Sequence, residues 1–331
     1  MHEEVRCNHC GAPLEVTPDS VVAVCRFCGV PNFFIGDPAE VLAVPTLSSP
    51  EIASKAVERT RSDPDLWKRM SAINFTTSPD LFYLPFYFVD ARLNADYRAA
   101  VDLIYTKRDQ SGTQIMRRAV RVAGRVSLSE VAAVLARRAP WGLSADALAK
   151  HFLKAAPELK PLADVVAQSP GKFLAAEITP ERAKAKAVRS LIPRLLARVE
   201  QDAAARARQV AGLPEAKAVV ADKTVDYEVV RLETSRLVYL PLWVMTYLYN
   251  GSNYHYYAAG WDGRVVLAEE PVFAEHRRAI LMGAVAAGGL GGMGLALAST
   301  DFFMGVVMLI GGAALSYTAA GNLLKSRRVE K

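Results

Sequence analysis

Tyr239-Leu240-Pro241-Leu242-Trp243-Val244-Met245 decides the fold, because Tyr83-Leu84-Pro85-Phe86-Tyr87-Phe88-Val89 has already set out the same pattern earlier in the chain. Both stretches are aromatic and branched, the composition of a buried strand. A helix start precedes each: Ser49-Pro50-Glu51 and Thr179-Pro180-Glu181. In each start a hydroxyl can cap, proline has no N–H to waste in the first turn, and the acid meets the positive end of the helix. An asparagine segment follows each: Asn94-Ala95-Asp96-Tyr97-Arg98 in the first, Asn250-Gly251-Ser252-Asn253-Tyr254-His255, with one residue inserted, in the second. The shared order of helix, aromatic strand, Asn turn and strand predicts a pseudo-repeated α+β body with antiparallel sheet, as one pseudo-symmetric unit or two similar subdomains. The first repeat with its extension spans 37–178 and the second 179–275.

Outward from these strands, Asn250-Gly251 and Trp261-Asp262-Gly263-Arg264 read as hairpin turns. Tyr97 to Lys107 should turn at Gln110-Ser111-Gly112 into a strand from Thr113 to Val126, where Arg117, Arg118, Arg121 and Arg125 put several arginines on one sheet face. Val131 to Arg138 suits strand or helix, whereas Ser144 to Lys154 reads as a helix capped by Ser144, with Leu148, Phe152 and Leu153 turned inward. From Glu181 to Val210 an apolar stripe of Val188, Leu191, Ile192, Leu195, Leu196 and Val199 predicts a long surface helix, kinked or restarted at Pro193.

The N-terminal 36 residues carry the most specific chemistry. Cys7-Asn8-His9-Cys10-Gly11 and Cys25-Arg26-Phe27-Cys28-Gly29 are two CxxC knuckles, each with glycine after its second cysteine. Glycine permits the backbone turn that aims amides at the sulfurs, and four thiolates suit tetrahedral zinc. A module this small needs such a staple in place of a core. Cys7, Cys10, Cys25 and Cys28 are therefore the predicted zinc ligands, with iron in a rubredoxin-like site as the competing metal. Four cysteines close the site without His2 or His9. Strands are expected over Leu14–Thr17, Val21–Val24 and Val30–Ile35, giving residues 1–36 the form of a zinc ribbon of the transcription-factor-IIB type.

At the other end, Ala279–Ala298 and Phe302–Leu324 are two uncharged runs separated by Ser299-Thr300-Asp301. At about 1.5 Å per residue each is long enough to span a hydrocarbon core. Arg277 and Arg278 precede the pair, and Lys325, Arg327, Arg328 and Lys331 follow it. Positive flanks mark the cytoplasmic side, so 276–331 is expected to be a two-helix transmembrane hairpin with basic tail, in the cell membrane, both termini cytoplasmic. A buried hairpin of a soluble α-domain is the alternative. Gly288, Gly289, Gly291, Gly292 and Gly294, with Gly311 and Gly312, permit close packing of the spans on each other or oligomerisation through the same face.

The chain carries a net charge of +6, and Lys107 to Arg208 alone holds 20 Lys and Arg against 9 Asp and Glu. A basic middle region suits an anionic leaflet, nucleic acid or simply a wet surface. With no apolar run before the first cysteine pair, a secretory signal is not expected. Neither a metalloprotease motif nor a Walker glycine loop, a dinucleotide fingerprint or a nucleophile elbow occurs, so no enzyme is predicted.

The four cysteines, Tyr239-Leu240-Pro241-Leu242-Trp243, Asn250-Gly251 and Trp261-Asp262-Gly263-Arg264-Val265 together resemble a group of prokaryotic membrane-anchored zinc-ribbon proteins. That resemblance implies an architecture and no common activity. It leads to two functional expectations. The first is a membrane-anchored cytosolic scaffold or adaptor presenting a zinc ribbon and α+β body to a protein partner, held to the bilayer through residues 279–324. The second is a membrane-tethered nucleic-acid-binding protein using the ribbon and the basic middle.

Overall fold

The computed structural model describes residues 5–16, 20–34, 41–68, 74–75, 79–109, 112–138, 142–169, 171–271 and 327–330. In chain order its elements are β1 (Val22–Val24), β2 (Pro31–Phe33), β3 (Val41–Ala43), α1 (Ser49–Ser62), α2 (Pro64–Lys68), β4 (Asn74–Phe75), β5 (Asp80–Asp109) and β6 (Gly112–Leu135). Then come α3 (Leu143–Ala155), β7 (Lys160–Pro161), α4 (Leu162–Gln168), β8 (Lys172–Phe173), α5 (Pro180–Ala211), β9 (Lys217–Thr234), β10 (Leu237–Tyr249), β11 (Ser252–Ala259), β12 (Val265–Pro271) and β13 (Arg327–Glu330). This is a mixed α+β fold with mostly antiparallel sheet. It divides into two compact units, the first made of Met1–Thr46 and Phe82–Pro241, the second of Leu47–Leu81 and Leu242–Lys331.

The first unit is built on a long ribbon in which β5 pairs antiparallel with β6 on one side and β9 on the other. Beyond Ala91 an alternation along β5 decides its two faces. Ala91, Leu93, Ala95, Tyr97, Ala99, Val101 and Leu103 are buried, whereas Arg92, Asp96 and Arg98 between them are exposed. α5 covers the buried face, chiefly over β6 and partly over β9. It does so with Ala183, Ala187, Leu191, Leu195, Val199, Ala203 and Ala207, every fourth residue. Leucine and valine fill the middle at about 2 kcal/mol for each large side chain buried, and alanines at both ends bring the helix close to the sheet. Gly124 marks that closeness: a Cβ there would lie 2.7 Å from the Tyr97 hydroxyl and 2.9 Å from Arg206 Nε. Tyr97 donates to Asp202, which also accepts from Arg206 Nε at 2.6 Å, tying strand to helix.

Both Tyr-x-Pro segments meet in this unit. Tyr83 pairs with Pro241, Leu84 with Leu240 and Pro85 with Tyr239, so a local two-fold relation runs between the two leucines. Proline is tolerated in both strands although its ring removes one ladder donor.

Several expectations give way here. Asn94 makes no turn: β5 runs straight through it, pairing Asn94 with Ser127 and Glu228. A tight turn needs a left-handed backbone at two successive residues, which the Cβ of Ala95 disfavours. α5 does not restart at Pro193, which lies inside one continuous helix. That proline lies on the exposed side, where water can serve the carbonyl that loses its partner. For Val131 to Arg138, where strand and helix both stood open, the strand reading holds as far as Leu135, the end of β6. α3 begins after Gly142 at φ 92°, and the expected cap Ser144 is a buried residue inside the helix; Leu148 is buried, but Leu153, five residues on and so about 140° round the helix from it, is 41% exposed. No strand forms over Leu14–Val16, where the described residues show only a bridge from Arg6 to Pro13.

The second unit contains residues 242–249 of β10 in a hairpin with β11, closed by Asn250 at φ 49° and Gly251 at φ 77°. β12 pairs with β11, and α1 packs against both. α1 starts one residue earlier than the sequence suggests. Ser48 is its cap, and Glu51 accepts from the Ser48 N–H at 2.8 Å and from its hydroxyl at 2.6 Å. Inside, Ile52 and Ala56 of α1 are buried, as are Tyr247 and Tyr256, whose ring centroids are 5.1 Å apart.

β13 pairs antiparallel with β12, placing Arg327 opposite Pro271. The intervening stretch, which includes both expected spans (279–298 and 302–324) and their glycines, lies outside the described residues. No helix among the described residues is long and apolar enough to cross a membrane.

Candidate metal centre

The two knuckles fold as the glycines dictate. Gly11 and Gly29 sit at φ 73° and 74°, and their N–H groups return to the Cys7 and Cys25 carbonyls at 3.0 and 2.8 Å. Between the knuckles β1 and β2 pair from Val22↔Phe33 to Val24↔Pro31. The four Sγ atoms of Cys7, Cys10, Cys25 and Cys28 lie within 4.8 Å of one another. Cys7 and Cys28 are 3.6 Å apart and Cys10 and Cys25 3.7 Å. Four sulfurs about 2.3 Å from a central ion in tetrahedral array are about 3.8 Å apart, so the donor set fits zinc in type and spacing.

The polypeptide favours negative charge at two of the four sulfurs, whereas at Cys28 the Val30 N–H is outweighed by burial and the neighbouring Cys10, Cys7 and Cys25 sulfurs, which push the thiol up to about 12. Backbone N–H groups of Cys10 and His9, and the Asn32 side chain, pull the Cys7 thiol down to about 6. Cys25 is likewise lowered: burial opposes ionisation, but the N–H groups of Cys28 and Phe27 outweigh it. His9 thus serves through its backbone, and its ring is not needed as a ligand.

Asn32 escapes the sequence reading altogether. It is 2% exposed, accepts the Asn8 N–H at 2.9 Å, and donates to the Val30 carbonyl at 2.9 Å and to Cys7 Sγ at 3.5 Å. One amide therefore links the first knuckle to the strand after the second, the kind of outer partner that fixes a ligand's orientation. Asn four residues after the last cysteine was the available signal.

The ribbon is fastened to the rest of the first unit. Val21 donates to the Ala176 carbonyl at 2.6 Å, and Ala176 donates back to Val22 at 3.0 Å. Val22 and Ala176 are fully buried. Beside this seam runs a groove of about 500 Å³, with Leu14, Val16, Val24 and Leu174 on its walls and Arg26, Arg137, Glu15 and Glu177 among its polar residues. Phe27, at the tip of the second knuckle, is 61% exposed, with the Arg26 guanidinium 5.0 Å from its ring centre.

The arginine strand is divided by the pleat. Arg117, Arg121 and Arg125 share the face away from α5, whereas Arg118 lies on the other and donates to the Ala211 carbonyl at 3.4 Å. Asp102 accepts from Arg117, and Glu228 accepts from Arg125. The Arg117 guanidinium holds the Asp102 carboxyl below its ordinary range. The face is accordingly a mixture of charges in which acids from β5 and β9 answer much of the arginine.

Comparison with known proteins gives no match, whether to a family model, a curated protein or a solved structure.

Proposed function

We propose that this chain is a membrane-anchored adaptor whose zinc ribbon and α+β body hold a protein partner on the cytosolic face, with residues 279–324 as a two-span anchor. The observation that carries this reading is the groove at the ribbon seam. Its lining mixes apolar side chains with charges of both signs, and an exposed aromatic lies nearby in the chain, which suits an extended peptide better than a small substrate. Zinc at Cys7, Cys10, Cys25 and Cys28 is the staple that keeps one wall of the groove in place. The anchor reading draws on the charge-flanked apolar runs and on the closure of β12 with β13. A segment that leaves and returns to the same sheet edge crosses a bilayer an even number of times. The two Tyr-x-Pro copies are read as a duplication in which each copy's helix serves the other's strands: α1 in the second unit, α5 in the first.

Photo-crosslinking in cells with a crosslinker at Val24 of the full chain tests this. A discrete protein adduct is expected, lost when Cys25 and Cys28 are replaced by serine. Absence of any adduct, or an adduct abolished by nuclease, counts against the adaptor and for the nucleic-acid reading. A cysteine reporter at Thr300 should react from outside the cell and one at Ser49 should not.

A further inference from the structure

A second site lies in the second unit, in a cleft of about 480 Å³ between α1 and the β11–β12 turn. Lys55, Arg59 and Ser62 come from one face of α1, and Arg264 comes from the turn opposite. Arg59 is not a loose surface cation. One terminal nitrogen is 3.4 Å from a carboxylate oxygen of Glu270, whose side chain is fully buried. Its other terminal nitrogen donates to the Ser62 hydroxyl at 3.3 Å, and that hydroxyl donates to the Arg59 carbonyl at 2.7 Å. Burying a carboxylate beside an arginine is a poor route to stability, since apolar residues of similar volume do as well. It does achieve a guanidinium held in one orientation at the wall of a cleft.

The remaining walls are equally specific. Gly263 sits at φ 71°, and a Cβ there would lie 2.8 Å from Lys55 Cγ, so only glycine leaves the lysine stem its present path. Among the described lining residues the one acid, Glu58, is exposed and 3.5 Å from Lys55, where water screens it. Three cations, one fixed by a buried acid, face one acid across a space that suits a small anionic group.

We propose that this cleft binds a phosphate group, from either a phospholipid head or a soluble phosphorylated metabolite. Arg59 supplies the oriented fork, with Lys55 and Arg264 as charges from either side. The lipid source rests on the membrane-anchored reading, because β12 leads at Pro271 towards the expected spans; the soluble source does not.

The test uses the full-length protein in neutral detergent. Inorganic phosphate and glycerol 3-phosphate are titrated by calorimetry, and phosphatidylglycerol against phosphatidylcholine is titrated in nanodiscs. Saturable binding to at least one phosphate monoester, or preference for phosphatidylglycerol, is expected. It should fall at least tenfold in Lys55→Ala/Arg264→Glu, two exposed positions whose change leaves the fold intact, and stay unchanged in Arg121→Ala on the first unit's sheet. Binding of the soluble probes assigns a metabolite; preference for the anionic lipid alone assigns a headgroup. No saturable binding of any probe, or equal binding by the double variant, overturns the proposal. A chain that proves soluble yet binds glycerol 3-phosphate would refute the anchor and leave this site standing.

Discussion

β5 and β10 begin from the same Tyr-Leu-Pro pattern and diverge within ten residues. In the first unit β5 passes Asn94 and continues for 30 residues in all, long enough to carry a partner strand on each side and a 32-residue helix on one face. In the second unit β10 ends after 13 residues at Asn250, and the chain folds straight back. The difference comes down to the residue after asparagine. Gly251 accepts the left-handed backbone that a two-residue turn needs, and Ala95 does not. At Asn94 the side chain is also occupied, accepting from Ser127 at 2.7 Å and donating to Glu228 at 3.2 Å, which favours the extended form.

The largest way to separate the two units is through the metal. Replacing Cys25 and Cys28 by serine removes half the ligands, and the ribbon has little core of its own. Metal content per chain should fall to near zero. Because Val21 and Val22 share their ladder with Ala176, amide exchange should quicken at 173–177 in the first unit while the β10–β11 hairpin of the second keeps its protection. Equal loss in both units would mean that the ribbon stabilises the whole chain and the division is wrong.

The next effect belongs to the close approach of α5 to β5 and β6. Gly124→Val places branched carbons where the Tyr97 hydroxyl and Arg206 now lie, and should cost about 1–3 kcal/mol by overpacking, read as a lowered midpoint in urea. Gly124→Ala should show the same direction more weakly. In the second unit the sensitive glycine is Gly251. Its change to alanine should cost about 1 kcal/mol through the left-handed backbone and leave the first unit alone. The reciprocal change, Ala95→Gly, should weaken β5 by about 0.5–1 kcal/mol without creating a turn, because Asn94 and its neighbours remain laddered on both sides.

How much of this could be read in advance varies with the range of the interaction. The CxxC knuckles, the helix starts at Pro50 and Pro180, the Asn250-Gly251 turn and the Leu191/Leu195/Val199 stripe are local chemistry, and they were legible. Asn32 was not, because its value depends on Cys7 and Asn8 arriving from the other knuckle. The length of β5 was hidden for a similar reason: an asparagine in a strand looks like a turn until its cross-strand partners are known. The choice of sheet is longer-range still: α5 lies on β6 and β9 and α1 on β11 and β12, and nothing in a helix's own pattern says which sheet will cover its apolar stripe. The Arg59–Glu270 pair unites positions more than two hundred residues apart, and neither residue stands out alone.

The smallest effect is a pH dependence confined to the first unit. Asp202 feels two opposing influences. Burial favours its neutral form, but the Tyr97 hydroxyl and the Arg206 guanidinium favour the carboxylate and prevail, so its pKa lies below the ordinary value. A depressed carboxyl contributes stability that is present above the unfolded-state pKa, about 3.9, and is lost as pH falls through the lower folded-state value. The strand-to-helix tie should therefore hold from neutral pH to about 4 and loosen below it. Tyr97→Phe removes one hydrogen bond of the carboxylate and should cost about 1 kcal/mol at neutral pH, and the cost should shrink as Asp202 takes up its proton. Urea midpoints of the two proteins measured from pH 7 to pH 3 decide the matter: curves that converge in acid support the tie, and a gap that stays constant or widens shows that the ring hydroxyl matters for some other reason.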